Sequence, residues 1–283
     1  MRPDKSEADK LLESLRSRHG LRFDELNQHA RQFADFLKQL ESFRLVDLDP
    51  LSQPQHVGRV IVDGVFQVGH DYEKQVRKRV ERIVKYPEAA TVSGFIRLLK
   101  EKGISQLLYW KSPDMQEDLL NVASFFAEQG IETYSQLQEW LRPEDHRDSL
   151  LSTQSRLGGK TTFRVAEKTA DYFRLLVNHW DAVAVDKGIG QLLAKAEIVS
   201  LHSNKFDYRE KRIILQLTAF ELEYRPIDLD HSIYVYYVNN KLKENTARSS
   251  NKRRRKDFMY CFHCGHRIRR DANYCTECGK SQV

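Results

Sequence analysis

A chain of 283 residues with 40% hydrophobic and 30% charged content has material for one large core plus appendages, which excludes a disordered or low-complexity polypeptide. No apolar run approaches membrane-spanning length and Met1 to Lys10 is polar and charged, so a membrane partner and a secretory leader are both excluded from the expectation. The formal charge of +6 is uneven: twelve Lys and Arg against four Asp and Glu from Lys241 to Val283 make that stretch +8, which leaves residues 1 to 240 at −2.

Most of the chain reads as helix. Leu26, Ala30, Phe33, Leu37 and Leu40 recur on one helical face, and Pro50 and Pro54 separate that N-terminal helix from the next segment. Val76, Val80, Ile83 and Val84 mark another helix. Ser112-Pro113 is a cap with proline at the first helical position, Gly130 closes that helix, and Thr133-x-x-Gln136 opens the next as a capping box. A polar stretch, Ser152 to Thr162, contains Gly158-Gly159-Lys160. After Glu167-Lys168, the residues Phe173, Leu176, Val177 and Trp180 predict a helix whose first turn holds Lys168. The apolar run Ala182 to Val185 ends at Asp186, and Ile189, Leu192 and Leu193 come next at helical spacing, which puts Asp186 at an N-cap. Asp207-x-x-Glu210 is a second capping box, before Ile213, Leu217 and Phe220. By propensity alone, the β-branched and aromatic run Ile233 to Val238 reads as strand.

The C-terminal part is of another kind. Lys252-Arg253-Arg254-Arg255-Lys256 lies in a Ser/Asn-rich linker and reads as a flexible phosphate-binding tether. Beyond it, Cys261-x-x-Cys264-Gly265 and Cys275-x-x-Cys278-Gly279 are two knuckles, and the chain holds no other cysteine. This is the spacing of a four-thiolate zinc ribbon, in which each tight turn presents two sulfurs to one structural Zn²⁺. Four such ligands need neither His263 nor His266, and they close the metal to a catalytic water. A segment this short buries no core of its own, so metal binding, worth about 10 to 16 kcal/mol in small zinc modules, supplies its folding energy. Reduced, zinc-spaced cysteines fit a cytoplasmic protein.

Lys168 and Asp186 start adjacent helices, eighteen residues apart. Here the chain resembles the helix-hairpin-helix DNA glycosylases, relatives of endonuclease III, whose signature reads roughly L-P-G-V-G-x-K-T-A followed by V-D-x-H-[VI]. Lys168-Thr169-Ala170 matches the K-T-A and Val185-Asp186 the V-D, at the separation of the lyase branch. Ile61 to Val80 is similar to the family's opening helix, its glutamine-bearing turn and the next helix. Asp230 to Tyr237 is similar to a closing segment of one branch. The resemblance implies a buried helix over Ile233 to Val238, against propensity. It also implies that Gln67 is the wedge that enters the DNA stack, with His70, Tyr72 and Trp110 as candidates for the base pocket.

Two departures stand out. The family hairpin uses two glycines so that backbone N–H groups approach a DNA phosphate, and here those positions read Arg164 and Ala166. The phosphate contact then falls either to the upstream Gly158-Gly159-Lys160 or to the Arg164 side chain. The histidine of V-D-x-H is Gly188.

The chemistry implied needs these residue types. Breaking an N-glycosidic bond builds positive charge on the sugar, which a carboxylate such as Asp186 stabilises. An amine such as Lys168 attacks the same sugar and forms a Schiff base from which the strand is cleaved. Extruding the base from the stack costs a few kcal/mol, hence the wedge. The resulting expectation is an all-α, monomeric, DNA-binding glycosylase that excises a modified base, with or without lyase activity. Its parts are a helical extension (1–50), a glycosylase domain (51–240), a basic linker (241–257) and a zinc ribbon (258–283). The alternatives are a DNA-binding module without chemistry and an interaction protein whose ribbon holds a protein partner.

Overall fold

The computed structural model describes residues 4–46, 55–67, 72–152, 167–198, 206–249 and 258–281, apart from 262, 270, 271 and 276. It is a helical protein with a small two-stranded ribbon at its C-terminal end, and the described part divides into two compact units. One is built from Gln53–Ala184, the other from Met1–Ser52 together with Val185–Val283. The 51–240 segment is thus divided at Val185, and its last part packs with the N-terminal helices. No described helix is long and apolar enough to cross a membrane.

The continuous unit is arranged around α3 (Val57–Phe66), every residue of which is buried. Apolar residues lie on every side of it, so it must be enclosed, and Arg59 and Asp63 are enclosed with it. The enclosure comes from α4 (Arg77–Ile83), entered through a π-turn at Tyr72–Val76, and from α5 (Val92–Leu108), α6 (Pro113–Glu128) and α9 (Glu167–Leu176). Close approach is what Gly64 provides. A Cβ there would lie 2.5 Å from the Phe173 ring of α9, a distance no packed side chain tolerates. Between α6 and α9 come α7 (Tyr134–Trp140) and α8 (Glu144–Ser152). The capping box at Thr133 and Gln136 forms at the start of α7, and Pro113 occupies the first turn of α6. α9 stops at Leu176, one turn short of Trp180. Asn178 is left-handed (φ 60°) and the His179 N–H returns to the Arg174 carbonyl, so the apolar periodicity outruns the helix.

In the discontinuous unit, α1 (Lys5–His19) and α2 (Leu21–Gln39) precede α10 (Lys187–Lys195), α11 (Tyr208–Glu221) and α12 (Pro226–Ser249). The α2 face read from the sequence is buried at Leu26, Ala30, Phe33 and Leu37, with Leu40 half-buried. It packs against α11, where the Thr218 hydroxyl donates to the Ala30 carbonyl and Arg31 pairs with Glu221 at 3.0 Å. The Asp207–Glu210 capping box starts α11. Ile233 to Val238 is helical, within α12, and Ile233 and Val235 are buried. Tertiary burial overrides β-propensity here. The ribbon strands β1 (Phe258–Tyr260) and β2 (Arg267–Arg269) pair antiparallel, with Met259 opposite Ile268, and β1 packs on α12.

Candidate functional site

Lys168 stands in the first turn of α9, half-buried. The helix that carries it is fixed from within the continuous unit by charge. Arg147 of α8, 1% exposed, grips the fully buried Asp171 with two parallel bonds, Nε to Oδ1 at 2.7 Å and Nη2 to Oδ2 at 3.0 Å. One turn later Arg174 reaches Glu144 at 3.1 Å and Asp181 at 2.9 Å. A bidentate guanidinium fixes orientation as well as distance. Among the described residues, none pairs with the Lys168 ammonium.

Asp186 belongs to the other unit. It is the N-cap of α10, in extended conformation, and its Oδ1 accepts the Ile189 N–H at 2.8 Å. Among the described residues Oδ2 accepts no hydrogen bond. The neighbouring Gly188, which replaces the family histidine, has a local reason. A Cβ there would sit 2.9 Å from Cγ of Tyr237 on α12 and 3.2 Å from the Asp186 Oδ1, so an aromatic ring of α12 occupies the space a side chain would take.

Gln67 ends α3, half-buried, its N–H bonded to the Asp63 carbonyl at 3.0 Å. Beside it, Phe66 packs edge-on against Trp110, and the Arg79 guanidinium lies 4.3 Å from the Trp110 ring centroid. Arg82 stacks on Tyr109, 3.5 Å from the ring centroid, and Tyr109 is 71% exposed. The sequence reading missed Asp63. Its buried carboxylate accepts from Tyr72 at 3.2 Å and from Tyr172, one turn beyond Lys168 on α9, at 3.1 Å. Burial pushes this carboxyl up to about 6, although Arg59 and the two phenols favour its charged form. A single acid inside the apolar run Val60 to Phe66 was the available signal. His70, Gly158, Gly159, Lys160, Arg164 and the basic run Lys252, Arg253, Arg254, Arg255 and Lys256 lie outside the described residues.

The four cysteines converge as their spacing predicts. All four sulfurs lie within 4.8 Å of one another, and Cys261–Cys278 and Cys264–Cys275 are each separated by 3.6 Å. Tetrahedral zinc with Zn–S of about 2.3 Å would space its ligands about 3.8 Å apart, so the cluster fits that ion. The knuckles repeat each other: the Gly265 and Gly279 N–H groups donate to the Cys261 and Cys275 carbonyls, and both glycines are left-handed at φ 68°. The His263 and Glu277 N–H groups donate to the Cys261 and Cys275 sulfurs, 3.3 and 3.4 Å away. Burial and the crowding of neighbouring sulfurs raise the Cys264 thiol, a cost that a bound cation reverses. The cluster can hold one metal ion with no open position.

Comparison with protein-family models, with curated proteins and with solved structures finds no match for the chain.

Proposed function

We propose that the protein is a DNA glycosylase of helix-hairpin-helix type that releases a modified base, with zinc holding its C-terminal ribbon. The observation that carries this reading is the state of the two helix starts: Asp186 commits one oxygen to its cap, and neither its other oxygen nor the Lys168 ammonium is committed to any described residue. An ordinary N-cap accounts for Oδ1 but requires nothing of Oδ2. As the base leaves with the bonding electron pair, Oδ2 stabilises the cationic sugar. The neutral Lys168 amine then adds to C1′ of that cation and loses a proton; the C1′–O4′ bond breaks, its electron pair goes to the ring oxygen, which is protonated, and the resulting imine opens the way to strand cleavage.

Supporting features lie at the ends of α3 and α5 and on α4. Gln67, the half-buried Trp110 that packs on Phe66, and the exposed Tyr109 stacked by Arg82 combine a polar tip, aromatic faces and a guanidinium, the groups that contact unstacked bases and phosphates. The basic linker adds sequence-independent phosphate binding, so removal of residues 241–283 weakens DNA binding and flattens its salt dependence. An unchanged salt slope would assign the ribbon to a protein partner instead. The test of the reading is incubation of the purified protein with duplexes carrying oxidised, deaminated and alkylated bases, scored for free base. Release from at least one is expected. Binding without release from any of them favours the non-catalytic DNA-binding alternative.

A further inference from the structure

α12 stands between two features that the sequence places far apart, within one compact unit. On one side, the Tyr237 ring abuts Gly188, two residues past Asp186, so closely that no Cβ would fit between them. On the other, β1 of the cysteine ribbon packs on α12, and the His231 ring of α12 lies behind the first knuckle, its Cε1 within 3.7 Å of where a Gly265 Cβ would project. The His231 Nε2 is buried, and no described residue accepts from it or donates to it. Burial lowers this imidazole to about 4, so it is a neutral, space-filling ring at neutral pH. Among the described residues, the buried core of the ribbon is Cys261, Ile268 and Cys275.

We propose that the metal-loaded ribbon braces α12 through His231 and that Tyr237 is the positioning residue by which α12 sets the Asp186 cap. The metal then has a role beyond folding its own module. With the ion bound, the knuckle holds the α12 face, and the Tyr237 ring keeps the first turn of α10 in the conformation where Oδ1 caps Ile189 and Oδ2 is left over. Without it, the ribbon core is lost, and the α10 start loses its backing. The inference rests on the proposed function only in giving Asp186 a catalytic task, since the mechanical linkage can be read without any activity.

The test uses the full chain and tracks amide hydrogen exchange, with the Ile189 amide reporting the cap directly. In the zinc-loaded protein, stripping the metal with a chelator should release the ribbon amides and speed exchange at Ile189 by about tenfold, while amides of α3 stay protected. Tyr237→Phe, which keeps the ring against Gly188, should leave Ile189 protection at the wild-type level. Tyr237→Ala should lower it with metal still bound. Ribbon amides released by the chelator with Ile189 unchanged would overturn the proposal, and so would equal protection in Tyr237→Ala and wild type. Because no readout is base release, a protein that excises nothing can still pass, and an active glycosylase can fail.

Discussion

α9 and α10 are neighbours in sequence that each present one candidate catalytic group, yet they are held by different physics. α9 is locked along its length by buried guanidinium–carboxylate pairs, Arg147–Asp171 foremost, and its start is left to Lys168. Among the described residues α10 carries no such pair. Its Ile189, Leu192 and Leu193 are buried, its start is fixed by the Asp186 cap and the approach of Gly188 to Tyr237, and the Gln32 amide donates to the Ala196 carbonyl at its end. Buried ion pairs give orientation but fail badly when one partner is lost, whereas a cap and a close contact are worth about 1 kcal/mol each and bend before they break. The lysine helix is therefore rigid and brittle, the aspartate helix adjustable and tolerant.

The largest expected effect comes from breaking the brittle side. Arg147→Ala leaves Asp171 buried without its bidentate partner, and a loss of about 3–5 kcal/mol is expected. Chemical denaturation measures it, and a loss below ~1 kcal/mol would show that α9 is held by apolar packing instead. A buried carboxylate that lacks a partner sharpens the same point from the opposite sign. Asp118 of α6 is fully buried, and neither of its oxygens has a hydrogen-bond partner among the described residues. Burial, with Glu117 and Asp114 nearby, pushes it up to about 6 from 3.8. A raised carboxyl contributes stability below its ordinary value that is lost as pH rises through about 6, so at pH 7 the ionised group is a cost. Asp118→Asn should therefore stabilise the protein by about 1–3 kcal/mol at pH 7 and by almost nothing near pH 3.5. An equal effect at both pH values would mean that charge is not the cause.

On the adjustable side the effects are smaller. In Gly188→Ala, helix propensity favours alanine by up to ~1 kcal/mol, while overpacking against Tyr237 costs about 1–3 kcal/mol. The net expectation is a loss of about 1 kcal/mol, visible in thermal unfolding. A gain would mean that the α12 contact yields freely. Smallest in stability is Lys168→Gln, expected within about 0.5 kcal/mol of wild type because no described residue pairs with the ammonium. Its effect is chemical: borohydride should trap the wild type on abasic DNA as a covalent complex and should fail to trap the variant. Trapping that persists in Lys168→Gln would assign the imine to another amine.

Local signals made the helix starts and the ribbon legible. Thr133 with Gln136, Asp207 with Glu210, and Asp186 each cap the helix that their side-chain chemistry predicts. The C-x-x-C-G repeats fix two turns whose glycines must be left-handed, so the cysteine cluster is a consequence of spacing. The features that escaped the sequence depend on partners distant in the chain. The Arg147–Asp171 pair, Asp63 with its two phenols and the Gly188–Tyr237 contact leave no periodic trace. The pairing of α2 with α11 is of the same kind, joining segments that only the fold brings together. Periodicity also misled at Trp180, because the turn that closes α9 half-buries this ring as a helix face would.

Asp186 is proposed to stabilise a sugar cation through the oxygen its cap does not use. Asp186→Asn keeps a capping oxygen for Ile189 and removes the charge. The measurement is single-turnover base release from the duplex on which the wild type is active, alongside DNA affinity and thermal unfolding of the same variant. Release slowed by at least about a hundredfold is expected, with affinity unchanged and stability altered by less than about 1 kcal/mol. Release at the wild-type rate would contradict it and reduce Asp186 to a helix cap.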